Sequence, residues 1–366
     1  MSNKHDLNTR KKPEIGSKQI SILEKLCNAT AVSGDEFEVR KIILEEVTPI
    51  ADEIKVDALG NILVTKLGQG EGRVRVMLAA HMDEIGLMLV KKDEDNLFEF
   101  ARVGGIDERQ LPGKAVLVGR DHLPGVIGAK PIHMTTAKDR KDKIKVSDMR
   151  IDLGPEIGDK VKPGDRATFA TRFSVLGPSI CAKALDDRLG VATLIELLKF
   201  APNNIDLLAA FTVQEEVGLR GARAAAYTFD PDMAVALDST PAYDLPHWDD
   251  EGENVQYNTR LDAGPAIYVM DRATIADRRL VKWLQNTAED SGIPYQFRQP
   301  GGGGTDAGVI HKTRSGIPST SVSVPSRYLH TASGIARLDD WSNALSLLHA
   351  ALCRVTPEIL SVERRD

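Results

Sequence analysis

The chain has little cysteine, little aromatic surface and no surplus of basic charge, and each shortage removes a class of answer. Its three cysteines, Cys27, Cys181 and Cys353, lie far apart, forming neither the close pairs of a structural zinc site nor an even disulfide set. Basic residues number 47 against 53 acidic, a net charge of -6, which argues against a nucleic-acid partner. No run approaches the roughly 18 apolar residues of a membrane span, so no membrane partner is expected either. The opening MSNKHDLNTRKKPEIGSKQ lacks the apolar core of a signal peptide, which makes the cytoplasm the expected compartment. What remains, in 366 residues that are 42% hydrophobic and 27% charged, is a globular composition with length for about two domains.

Residues 1–17 read as a polar tail with nothing to bury. Ser17 to Asn28 follows as a helix, with Ile20, Leu23, Leu26 and Cys27 on one face. Ser33 and Glu36 stand at capping-box spacing and predict an amphipathic helix through Val47. Strand-type segments follow at 53–56, 61–66 and 73–80. From His81 to about Ser174, short apolar runs (GLMLV, LFEF, AVLVG, ATFA) alternate with Gly, Pro and charged turns, an all-β texture. The basic stretch from Lys138 to Lys145 reads as a solvated loop. Beyond Cys181 the strands IDLLAAFTV, MAVALDS, PAIYVMD, IPYQFRQ and STSVSV alternate with helices. Those helices are predicted from Arg188 to Phe200, around Gly221 to Tyr227, from Ile275 to Glu289 and from Leu338 to Val355. The pattern predicts an α/β fold, a mostly parallel sheet flanked by helices, with an inserted all-β domain. In residue terms, 18–88 and 174–366 form one domain, 89–173 the insertion and 1–17 the tail.

Five short segments concentrate chemistry at strand ends, where open α/β sheets place ligands: AHMDEIG, ALDDRLG, VQEEVGLRG, ALDST and RYLHT. They carry His81 and Asp83, Asp186 and Asp187, Glu215 and Glu216, Asp238, and His330. Acids gathered without matching Lys or Arg are costly, and bound divalent cations are the usual remedy. Asp83 is placed to accept from the far nitrogen of His81. Asp187 suits the cap of the following helix and leaves Asp186 free to point into the site. Side chains of the adjacent Glu215 and Glu216 diverge, which allows one ligand and one general base. Two imidazoles with several carboxylates and no thiolate suit a dinuclear site for Zn²⁺, Co²⁺ or Mn²⁺. The glycine-rich turn Gly301–Gly304, followed by Thr305 and Asp306, lacks the Lys of a phosphate loop and reads as close backbone approach to the site. His5, His122, His133, His247, His311 and His349 are assigned to structure or surface.

In this order, AHMDEIG, KALDDRLG, QEEVGLRGA, ALDST, GGGGTDAG and VPSRYLHT resemble the M42 family of metallo-aminopeptidases, the glutamyl-aminopeptidase and tetrahedral (TET) type. The likeness spans nearly the whole chain from Ser17, while TASGIARLDD departs from the pattern. The long interval between His81 and Asp186 is where that family inserts its β-rich dimerisation domain; relatives of the M20 type place theirs later. The resemblance implies two divalent metal ions per subunit, Zn²⁺ or Co²⁺ with Mn²⁺ also accepted. Asp186 would bridge them, His81 and Asp238 completing one set and Glu216 and His330 the other. Glu215 would be the general base and Asp83 would orient His81. Short peptides are the implied substrates, and a homo-oligomer built from dimers, up to a dodecamer, the implied assembly.

Two other functions fit parts of the pattern. Paired carboxylates could serve an endoglucanase-like glycosidase, the label some M42 relatives carry. A non-catalytic, metal-stabilised oligomeric binding protein would leave Glu215 with no role. Arg327 and Arg220 are the basic residues that a pocket for an acidic side chain could draw on.

Overall fold

A computed structural model describes residues 12–93, 96–245, 259–298 and 302–361; most of the expected tail, with His5 and His247, lies outside them. The sheet grows from strands that are apolar on both faces. In β3 (Val74–His81), Val76, Leu78 and Ala80 point into one core while Met77 and Ala79 point into another. In β12 (Ile205–Thr212), Leu207, Ala209 and Phe211 oppose Leu208 and Ala210 in the same way. Period-two alternation with no polar face demands helices on both sides.

The chain opens with α1 (Ser17–Asn28) and α2 (Phe37–Val47), then β1 (Glu53–Val56), β2 (Ile62–Lys66) and β3. Next come β4 (Gly86–Lys92), β5 (Leu97–Val103), β6 (Ala115–Val118), β7 (Leu123–Gly128), β8 (Arg150–Asp152) and β9 (Arg166–Phe169). Then follow β10 (Ser174–Leu176), β11 (Ser179–Ala182), α3 (Leu185–Lys199), β12, α4 (Arg220–Phe229) and β13 (Met233–Pro241). The last elements are β14 (Ala266–Tyr268), α5 (Arg278–Ser291), β15 (Gln296–Arg298), α6 (Ala307–Ile310), β16 (Ser319–Arg327), β17 (Gly334–Arg337), α7 (Leu338–Leu352) and α8 (Glu358–Ser361).

Among the described residues, eleven strands form one sheet in the order β1-β2-β12-β3-β13-β16-β17-β11-β10, with β14 and β15 off β16. The four central strands, β12, β3, β13 and β16, run parallel, and antiparallel strands extend both flanks. Helices α1, α2, α3, α5 and α7 cover one face; α4 and α6 cover the other. Strands β4 to β9 close an antiparallel barrel in the order β4-β5-β8-β7-β6-β9 around a core of its own, including Leu89, Phe98, Val118 and Ile151. No helix among the described residues is long and apolar enough to cross a membrane.

Two local expectations are corrected. Ser33 and Glu36 form no capping box. Glu36 is itself the residue before α2, and its carboxylate accepts from Gly34 N–H at 2.6 Å. The Ser33 hydroxyl donates instead to Asp83 Oδ2, at 2.6 Å, where a buried carboxylate needs the donor. Helix α5 starts at Arg278, later than the apolar pattern suggests, because Asp277 accepts from Arg279 N–H at 3.0 Å and fixes the start there.

Where barrel and sheet meet, a buried ion cluster replaces apolar packing. Lys183 Nζ lies 2.9 Å from both Glu84 oxygens and donates to Ala29 O. Glu84 also accepts from Ala31 N–H and from Thr168 of β9, both at 2.9 Å. The Arg188 guanidinium reaches Glu84, Leu26 O, Met82 O and Asp83 O. Lys183, Glu84 and Arg188 are each at most 2% exposed, so each charge depends on its partners. Lys183→Met should therefore cost about 1.5–3 kcal/mol, because Glu84 loses its closest cation and keeps only Arg188, at 3.5 Å. The expected sign is a lower denaturant midpoint by circular dichroism; an unchanged midpoint would show that the pair is replaceable.

Candidate metal centre

The parallel strands deliver the site at their C-terminal ends. His81 ends β3 and sits opposite Thr212 of β12, with Glu215 and Glu216 in the turn that follows. Asp238 lies within β13, opposite Ser323 of β16, and His330 stands in the turn after β16. Asp186 and Asp187 begin α3, and neither has helical φ/ψ, so the regular helix starts beyond them. As the sequence suggests, Asp187 takes the capping work: its Oδ1 accepts from Gly190 N–H at 3.0 Å and its Oδ2 from His81 N–H at 3.3 Å. A Cβ at Gly190 would stand 2.4 Å from that carboxylate, so this turn closes only around glycine. Ala184, Gln214, Tyr328 and His330 all carry left-handed φ of 54° to 60°, a cost that clusters at functional turns.

Two ligand trios result, and they share Asp186. His81, Asp186 and Asp238 form one and Asp186, Glu216 and His330 the other; in each, the ligand atoms lie within 4.8 Å of one another. His81 Nε2 is 3.0 Å from Asp186 Oδ1 and 3.8 Å from Asp238 Oδ1. His330 Nε2 is 3.6 Å from Asp186 Oδ2 and 3.5 Å from Glu216 Oε2. Both rings turn Nδ1 toward a main-chain carbonyl, His81 to Asp83 O at 3.1 Å and His330 to Gly105 O at 2.9 Å. Each Nδ1 thus has an acceptor for its proton and each Nε2 faces the acids, the arrangement a metal-binding histidine needs. The Asp83 carboxylate lies 3.5 Å from His81 Nδ1 and also braces the neighbouring turn, where its oxygens accept from the N–H groups of Glu215 (3.0 Å) and Glu216 (3.2 Å).

The charges do not balance within the protein. Burial pushes Asp238 well above the carboxylate range, and Asp186 and Asp187 add to it. Burial raises Glu215 strongly too; His81 opposes this, while Asp306, Glu216 and Asp186 add to it. Glu216 is pushed up to about 7, by burial first, with His330 opposing and Asp186 adding. Asp186 goes the other way: burial opposes, but His330 and His81 hold it well below the usual range. His330 rises to about 10, since Asp186 and Glu216 outweigh its burial. Against burial, the acids raise the proton affinity of both imidazoles, and divalent cations fit the same place chemically.

Sequence reasoning missed several supports. Ser33, the Gly105 carbonyl and the Glu84 cluster hold the site without any motif of their own, although Glu84 and Lys183 stand inside quoted segments. Asn61 is another: its Oδ1 accepts from Val213 N–H (2.9 Å) and its Nδ2 donates to Gly221 O (3.1 Å), fastening both ends of the Glu215–Glu216 turn. Asp306 accepts from Thr212 at 2.5 Å and ties the segment after the glycine-rich turn to the site; Gly301 is outside the described residues. Arg327 is paired with Asp244 at 2.7 and 2.9 Å, and exposed Arg220 reaches Gln214.

A family profile described as M42 glutamyl aminopeptidase matches residues 60–347. An aminopeptidase from the archaeon Desulfurococcus kamchatkensis is 35% identical with a TM-score of 0.88, covering 94% of this chain and 96% of that one. The Pyrococcus horikoshii TET1 peptidase, which can assemble into a tetrahedron or a large octahedral shell, is 35% identical at a TM-score of 0.80, covering 92% and 100%. The glutamyl aminopeptidase of Lactococcus lactis subsp. cremoris is 31% identical over 92% of this chain and 96% of its own. The chain belongs to the M42 peptidase family. It is a metal-dependent aminopeptidase, a hydrolase of peptide bonds; the family supports neither the endoglucanase nor the binding-only alternative.

Because the proton affinities of His330 and Glu216 are raised, a cation bound by this trio should release protons and bind more tightly as pH rises. Zn²⁺ titration calorimetry near neutral pH, in two buffers of different ionisation enthalpy, should give different heats. Equal heats would mean that the acids and imidazoles already stand deprotonated.

Proposed function

We propose that the enzyme removes N-terminal residues from short peptides with two divalent ions, Zn²⁺ or Co²⁺ and with Mn²⁺ also suitable. His81 and Asp238 would hold one, Glu216 and His330 the other, and Asp186 both. The observation that carries this reading is the position of Asp186, with one carboxylate oxygen toward each imidazole. At such a centre the ions supply Lewis-acid polarisation of the scissile carbonyl and a lowered pKa for water.

The chain supplies the proton traffic. Glu215 takes the proton of the attacking water and returns it to the departing amine, a role that suits a half-buried carboxylate with raised proton affinity. Asp83 holds the main chain of Glu215 and Glu216, so base and ligand keep separate positions. Homo-oligomerisation through the barrel is part of the proposal. Ile132 and Met134, in the segment after β7, are 73% and 62% exposed and offer apolar surface for it. Assembly from dimers up to a dodecamer is the expectation by analogy with the shell-forming relative.

A panel of aminoacyl chromogenic substrates, with chelation and metal add-back, tests the reading. Chelation should abolish release, and Zn²⁺ or Co²⁺ should restore it. Glu215→Gln should keep its metal content while kcat falls about 10²–10⁴-fold. If metal-loaded wild type cleaves no aminoacyl substrate, the proposal fails.

A further inference from the structure

The two imidazoles are mounted on different parts of the fold. His81 is 3% exposed at the end of a central strand and turns Nδ1 to the carbonyl of Asp83, within its own segment. His330 is 43% exposed, stands on a left-handed turn beyond the sheet, and its Nδ1 reaches across to Gly105 O, just past β5 of the barrel. The turn around it leans the same way. Ala332 is buried in the barrel core, and Ser333 Oγ is 3.3 Å from Thr171 Oγ1. Gly104 and Gly105 have no side chains where the trio approaches most closely. A Cβ at Gly104 would stand 3.4 Å from Glu216 Oε2, and one at Gly105 3.0 Å from His330 Nδ1. Gly104 carries a left-handed φ of 86°, whereas Gly105 does not, so alanine at 105 is compatible with its own backbone but would press on the imidazole and shift it.

We infer that Gly105 is a positioning residue for His330, so that the barrel touches the Asp186–Glu216–His330 half of the centre through a ligand ring itself, whereas the ring of His81 is held from its own segment. The inference rests on the two-ion reading above. A main-chain acceptor fixes which nitrogen carries the proton and where the other points, and loss of such a partner typically weakens metal binding 10–100-fold. Gly105 does this for His330 from outside the sheet, so a change at the Gly104–Ile106 turn is felt first at the His330 half-site.

Gly105→Ala tests it in the full-length protein, stripped of metal and titrated with Co²⁺, following the visible absorption of the bound ion. Wild type should take two equivalents. The variant should bind the first as wild type does and the second about 10–100-fold more weakly, with an altered spectrum for that equivalent only. Arg102→Gln gives an independent route if Gly105→Ala does not fold. Arg102 is exposed, and its guanidinium holds Ile106 O at 2.6 Å, so its loss slackens the Gly104–Ile106 turn without touching the core. It should weaken the same equivalent to a smaller degree. Wild-type affinity for both equivalents in a folded variant overturns the inference, as does equal weakening of both. A wild-type protein that takes one equivalent overturns the two-ion reading itself, and this inference with it.

Discussion

Asp186 gives one carboxylate oxygen to each imidazole, 3.0 Å from His81 and 3.6 Å from His330, and the rest of the centre is built around keeping it there. A shared carboxylate is a stringent constraint, because any movement that improves one trio spoils the other. The chain meets it by fixing both sides of the residue. Lys183 and Arg188 are locked into the Glu84 cluster, and Asp187 is tied to Gly190 and to the His81 main chain. From Asp187 through the first turns of α3 the side chains are buried, so Asp186 sits on a segment with little freedom. That rigidity costs three buried ions and several left-handed turns, which an apolar core of the same size would not need.

The same constraint explains how the chain is ordered. The barrel enters between His81 and Asp186, so its two connections leave from either side of the centre. Thr168 of β9 then reaches Glu84, and Arg166 reaches Ser33 O, whose own hydroxyl holds Asp83. From the same rim, past the end of β5, Gly105 reaches His330. An insertion placed elsewhere in the chain could add surface, but one placed here becomes part of the scaffold that aims the ligands.

The sequence made the acids and imidazoles legible because their chemistry restricts residue type and because each follows an apolar strand. The strands themselves were legible from their apolar runs, and Asp187 from its place at the start of an expected helix. Ser33 was misread because a capping pattern is local, whereas the carboxylate that claims its hydroxyl lies fifty positions away. The antiparallel flanks, β1-β2 and β17-β11-β10, were not distinguishable from the parallel core, since short strands give no direction of pairing. Gly105 left no signature at all: it acts through a carbonyl that every residue possesses and through the space left by a missing side chain.

Family membership separates peptide hydrolysis from the glycosidase alternative, and the proton chemistry of the two trios is consistent with it. A glycosidase of the paired-carboxylate kind needs one carboxyl that stays protonated in the working enzyme and one that stays ionised. Asp186 is held ionised by two histidines, which suits no acid role. Glu216 and Asp238 owe their raised values to burial and to like charges around them. Cations between those carboxylates would remove the crowding and the protons with it, so neither could serve as the standing acid. Glu215 belongs to neither trio, which leaves it free for the general-base role proposed above.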